Sequence, residues 1–158
     1  MRVLIKIATR SRPEKFRKCL RNIYSTVPLT RAFTLLVSIN EDDATMSSAM
    51  DDIHNLFMVP EKLRYETYGA SVETRVVFLS RKPFSSKIEA INDSIGMLSF
   101  DILVNTSDDM VFEPNWSEEV LSDMERLFPD TDGVLHYNDG NQKSKVMTLS
   151  IMGRKYYD

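Results

Sequence analysis

The chain has 158 residues, of which 42% are hydrophobic and 27% charged, and a net charge of −3. This is the size and make-up of one compact domain, and the charge gives no overall attraction to nucleic acid or to an anionic membrane. The single cysteine, Cys19, excludes an internal disulfide and fits a reducing, cytoplasmic setting; no apolar stretch is long enough to span a bilayer, and the basic N-terminus lacks the apolar core of a signal peptide.

"VLIKIA" (3 to 8) is short and almost continuously apolar, as a strand buried on both faces requires. A helix follows, for which Ser11 and Glu14 predict a capping box, Pro13 a first turn, and Phe16, Cys19, Leu20 and Ile23 an apolar stripe. "FTLLVSIN" (33 to 40) predicts a second strand, followed by a helix bearing Met46, Met50, Ile53 and Phe57, and then by an irregular stretch from Met58 to Thr74. "RVVFLS" (75 to 80) predicts a third strand, and "SSKIEAINDSIGML" a third helix capped by Ser86 and Glu89. "DILVNTS" (101 to 107) predicts a fourth strand, after which Asn115 caps a helix with Glu118 at the reciprocal position. "DGVLHYN" and "KVMTLSIM", joined by "NDGNQ", predict a hairpin. The alternation predicts an α/β fold: a mainly parallel, Rossmann-like sheet flanked by helices, with a C-terminal antiparallel hairpin. The tail "IMGRKYYD" ends without capping or polar closure, which predicts a truncated or minimal chain whose uncovered apolar area would favour a homo-oligomer.

Ligands of open α/β sheets bind at the carboxyl ends of the strands. Those ends carry "TRSR" (9 to 12), "NEDD" (40 to 43), "SRKPFSSK" (80 to 87) and "SDDM" (107 to 110), two of them cationic and two acidic. A nucleoside diphosphate held with a divalent metal uses both signs, the carboxylate anchoring the metal while Lys and Arg meet the phosphates. Adjacent strand residues point to opposite faces, so Asp108 and Asp109 cannot share one ion unless the strand has ended, and a division of labour is expected. His54 and His136 have no partner at metal-ligand spacing, and Trp116 reads as a helix anchor. Arg12, just before Pro13, is expected to point outward, which favours Arg10 as the functional cation.

The order of "IATRSRP", "VSIN" with its acidic follow-on, "KIEAIN" and "ILVNTSDDMVFEPNW" resembles the nucleotide-binding half of GT-A fold glycosyltransferases of the family 2 type, over about residues 1 to 116. Lys87, Ala90 and Asn92 match that family's Lys-x-x-Ala-x-Asn run, with Ser86 where a glycine is common. The family's Asp-x-Asp signature falls on "SDD". The resemblance implies Asp109 as ligand of Mg²⁺ or Mn²⁺, and Asp108 as the contact to the ribose, since Ser107 stands where the first acid would be. It further implies Thr9 and Arg10 beside the base, Asn40 or Asp43 reading it, and Lys87 near the diphosphate. The implied activity is transfer of a sugar from a nucleotide-diphosphate donor to an acceptor. No catalytic base is assigned: Asp139 lies in an Asn-Asp-Gly setting that reads as a hairpin turn. The alternatives are a nucleotidyltransferase, disfavoured because "TRSRP" has no glycine, and a non-catalytic nucleotide-binding module or fragment.

Overall fold

The computed structural model of the chain describes residues 1–28, 32–46, 48, 50, 75–138 and 150–158. Strand β1 (Val3–Ala8) leads into helix α1 (Pro13–Thr26), and β2 (Phe33–Asn40) into helical residues that begin at Ala44. Then come β3 (Arg75–Lys82), the short helix α2 (Lys87–Asn92), β4 (Ile102–Thr106), α3 (Trp116–Leu127), β5 (Val134–Leu135), β6 (Ser150–Gly153) and a last turn of helix, α4 (Arg154–Tyr157). The order across the sheet is β3-β2-β1-β4-β6-β5. The first four strands are parallel, whereas β6 runs antiparallel to β4, with Val104 opposite Ile151, and also to β5. This is the expected α/β sheet with its antiparallel addition, and the hairpin inserts its second strand beside β4. Ile53, His54, Phe57, the stretch from Met58 to Thr74, and the hairpin turn with Asp139 lie outside the described residues.

One face of the sheet carries the larger core, where Ile5, Ile7, Leu35, Val37, Ile102 and Val104 meet Phe16, Leu20 and Ile23 of α1 and Val120 and Met124 of α3. On the other face Leu4, Leu36 and Leu103 pack under Ile95 and Phe100, and Ala8 packs with Phe84 and Ala90. Among the described residues no helix is long and apolar enough to cross a membrane.

Three local expectations are corrected. Pro13 opens α1, so the cap position falls on Arg12, and Ser11 adopts a left-handed φ of 53° without closing a box with Glu14. Asn115 is also left-handed, with φ 62°, and makes no side-chain cap. The third helix is not continuous, because it stops at Asn92 and resumes as a 3-10 turn at Ile95–Met97 after Ser94 enters the left-handed region. Half of the box at Ser86 forms: its Oγ accepts from Glu89 N at 3.1 Å, while the Glu89 carboxylate reaches back one residue further, accepting from the N–H of Ser85 at 2.7 Å.

Candidate functional site

Because β4 ends at Thr106, Asp108 and Asp109 sit in the turn beyond it and face different surroundings. The Asp108 side chain is 0% exposed; its Oδ2 accepts from Thr9 Oγ1 at 2.5 Å, and its Oδ1 lies 2.8 Å from an Arg12 guanidinium nitrogen. That second contact is an ion pair without hydrogen-bond alignment, so Oδ1 has a counter-charge but no aligned donor. Asp109 is half exposed, and its Oδ2 is 3.5 Å from Arg12. A hydrogen bond from Ser107, aided by the charges of Arg12 and Lys15, holds the Asp109 carboxyl below the usual range against some desolvation. Arg12 therefore does not point outward: it is the cation that meets both acids. The X-Pro step restricts the backbone of Arg12 but leaves its side chain free to turn back across the strand ends.

Beside this cluster a cavity of about 280 Å³ opens between the ends of β1 and β2, Phe84 and the start of α2. Thr9, Arg10, Asn40 and Lys87 line it, together with Arg12 and Ser38. Arg10 also meets Asp42 at 3.1 Å in an exposed pair, which contributes little to stability. Asn40 Nδ2 donates to the Phe84 carbonyl at 2.8 Å and fixes that wall of the cavity. Asp43 is not among the lining residues. It is buried, accepts from Ser11 N at 2.6 Å and Met46 N at 3.0 Å, and so ties the loop bearing Arg10 and Arg12 to the helix after β2.

Beneath the cavity lies a buried cation. Lys6 is 1% exposed, and burial is the main cause that lowers its pKa to about 8. Its ammonium donates to Ser38 Oγ at 2.5 Å and to the Asp93 carbonyl at 2.9 Å. Burial opposes ionisation of Asp93, but hydrogen bonds from Lys82, Ser80 and Ser94 overcome it and hold that carboxyl low. Cys19 is not a nucleophile here: burial, then the charges of Asp108 and Asp109, push its thiol up to about 12. Sequence reasoning singled out neither Lys6, Ser38 nor Phe84. The only signal was a lysine inside an otherwise apolar strand, and the partners of Lys6 are 32 and 87 residues away.

No group of three or more His, Cys, Asp or Glu side chains is assembled for a metal among the described residues. The donor set instead fits a hard cation that takes one protein carboxylate and draws its other oxygens from a diphosphate and water, because Asp109 is accessible and Asp108 is occupied inward.

No family model and no curated protein matches the sequence. Solved structures do. A mannosyltransferase, PcManGT from Pyrobaculum calidifontis in complex with GDP-Man and Mn²⁺, superposes with a TM-score of 0.60 at 16% identity, covering 98% of this chain and 44% of that one. S. aureus TarS 1-349 gives a TM-score of 0.59 at 6% identity, covering 80% of this chain and 33% of that one. The chain thus spans less than half the length of either structure. At these identities the likeness establishes architecture: the chain has a glycosyltransferase-like fold.

Proposed function

We propose that the chain binds a nucleotide-diphosphate sugar with Mg²⁺ or Mn²⁺ and belongs to a machinery that transfers the sugar to an acceptor. The observation that carries this reading is the convergence at one strand-end edge of a cavity lined by Arg10, Arg12 and Lys87 with an accessible carboxylate, Asp109, that shares Arg12 with it. The cations oppose the charge of a diphosphate, and Thr9, Asn40 and Phe84 border the space for the nucleoside. Asp109 would hold the metal, which when bound supplies Lewis-acid stabilisation of charge on the departing diphosphate. Arg12 holds Asp108 and Asp109 in the free chain, and its guanidinium is within reach of the cavity, so engaging a diphosphate would draw it away from Asp109. Asp108 orients Arg12 and Thr9; a direct ribose contact requires Arg12 to leave its Oδ1. The structural neighbour that carries GDP-Man and Mn²⁺ supports the same chemistry.

Incubation with UDP- and GDP-sugars and Mn²⁺, followed by measurement of released nucleoside diphosphate, tests the reading. Release that Asp109→Asn abolishes supports a transferase or hydrolytic half-reaction. Metal-dependent binding without release supports the second reading, a nucleotide-binding module completed by further chain, which the coverage of less than half of either neighbour favours.

A further inference from the structure

The cavity floor has a defined donor and acceptor polarity. An ammonium group only donates, so Ser38 Oγ must accept from Lys6, and the Ser38 hydroxyl proton then has no acceptor among the described residues. Ser38 is 0% exposed and lines the cavity, and a buried donor left unmet carries a desolvation penalty that a ligand acceptor would remove. Two residues along β2, on the same face of the sheet, Asn40 also lines the cavity. Its NH₂ is committed to the Phe84 carbonyl, a partner that only the nitrogen end of the amide can serve, so its Oδ1 remains an acceptor with no donor among the described residues. On this face of β2 the floor presents one donor and one acceptor.

We propose that this cavity selects nucleobases with a lactam edge, a ring carbonyl next to a ring N–H, with Ser38 donating to the carbonyl and Asn40 accepting from the N–H. Uracil, guanine and hypoxanthine carry that edge. Cytosine and adenine carry an amino group beside an unprotonated ring nitrogen, which would set donor against donor and acceptor against acceptor. Phe84, 8% exposed, supplies the apolar wall for the ring. Lys6 is a positioning residue in this scheme. Without its ammonium the Ser38 hydroxyl can rotate to donate or accept, and the distinction between the two classes of base fades. The inference rests on the nucleotide-binding reading of the site.

The test is calorimetric titration of the full chain, in Mn²⁺, with two matched pairs, UDP against CDP and IDP against ADP. The lactam member of each pair is expected to bind at least about tenfold tighter, because sites built on buried hydrogen bonds reject mispolarised analogues strongly. Ser38→Ala and Lys6→Met should each bring the ratio to within roughly threefold while UDP still binds, a change in selectivity that a purely structural role would not produce. Equal binding of UDP and CDP by the unmodified chain overturns the inference and leaves the nucleotide site standing. An unchanged ratio in Ser38→Ala also overturns it. Absence of binding by all four nucleotides brings down the inference and the proposed function together. The unmodified chain alone decides the main point, so the test survives a variant that does not fold.

Discussion

The sheet face covered by α1 and α3 is apolar over most of its length, from Val3, Ile5 and Ile7 of β1 to Leu35 and Val37 of β2 and Ile102 and Val104 of β4, with the buried Thr106 at the end of β4 as the polar exception. The face covered by α2 begins the same way, with Leu4, Leu36 and Leu103, but nearer the carboxyl ends the matching positions are Lys6, Ser38 and Asn105. Lys6 and Asn105 are register partners, and Asn105 Oδ1 is buried without a hydrogen-bond partner among the described residues. One face is built for cohesion. On the other, a stretch of sheet that could have been filled with aliphatic side chains holds a desolvated ammonium bonded to the Ser38 hydroxyl, which lines a cavity. Polarity of this kind opposes folding unless every group is met, and its concentration at one end of one face is what the proposed ligand site rests on.

That contrast can be broken by substitution. Phe16→Ala, on the cohesive face, should cost ~3–5 kcal/mol in denaturant unfolding, because Phe16 is 0% exposed and its loss leaves a cavity in the core. Arg12→Met should cost less than the ~3–5 kcal/mol of breaking a wholly buried pair, since Arg12 is 36% exposed and water can partly replace it at the Asp108 carboxylate. The same unfolding measurement orders the two. Ser86→Ala should cost about 1 kcal/mol through loss of the cap on α2, the smallest of the three.

Lys6 sharpens the comparison through pH. Its pKa falls from 10.5 to about 8 in the folded chain, chiefly by burial, against the attraction of Asp93 and with the repulsion of Lys82 adding. Between those values the unfolded chain holds a proton that the folded chain has released. Raising pH through that window therefore stabilises the fold. The unmodified chain should gain stability relative to Lys6→Met as pH rises from 8 towards 10.5, read from melts at matched ionic strength; a flat difference would mean that Lys6 stays protonated. On the apolar face Cys19 is linked with the opposite sign, because burial raises its thiol from 9.0 to about 12 and the folded chain keeps a proton that the unfolded chain loses above pH 9; both proteins carry Cys19, so it drops out of the comparison with Lys6→Met.

Where local pattern is enough, the sequence is legible. The buried strands β1, β2 and β4 announce themselves as mostly apolar runs, and the stripe Phe16, Cys19, Leu20, Ile23 marks the inner side of α1. The end of β3 shows the limit, for the strand runs on through Arg81 and Lys82 because its pairing with β2 continues to Asn40. The caps show another: Ser86 and Ser11 carry the same signal, but Pro13 takes the first helical position and moves the cap to Arg12. The site residues named from sequence lie at the carboxyl ends of the strands, and Thr9, Arg10, Asn40 and Lys87 share a cavity. What sequence could not supply was the partner of each side chain. Arg12 meets acids 96 and 97 positions along the chain, and the meaning of Lys6 depends on Ser38 and Asp93, contacts set by strand order rather than by neighbours in sequence.

The central claim is that the cations and Asp109 at this edge hold a diphosphate together with a metal. The most direct measurement is calorimetric titration of UDP and of GDP, with and without Mn²⁺, into the unmodified chain and into Asp109→Asn. The account predicts binding that strengthens with Mn²⁺ and loses that dependence in the variant. Binding of equal strength with and without the metal, or an identical metal response in Asp109→Asn, would contradict it.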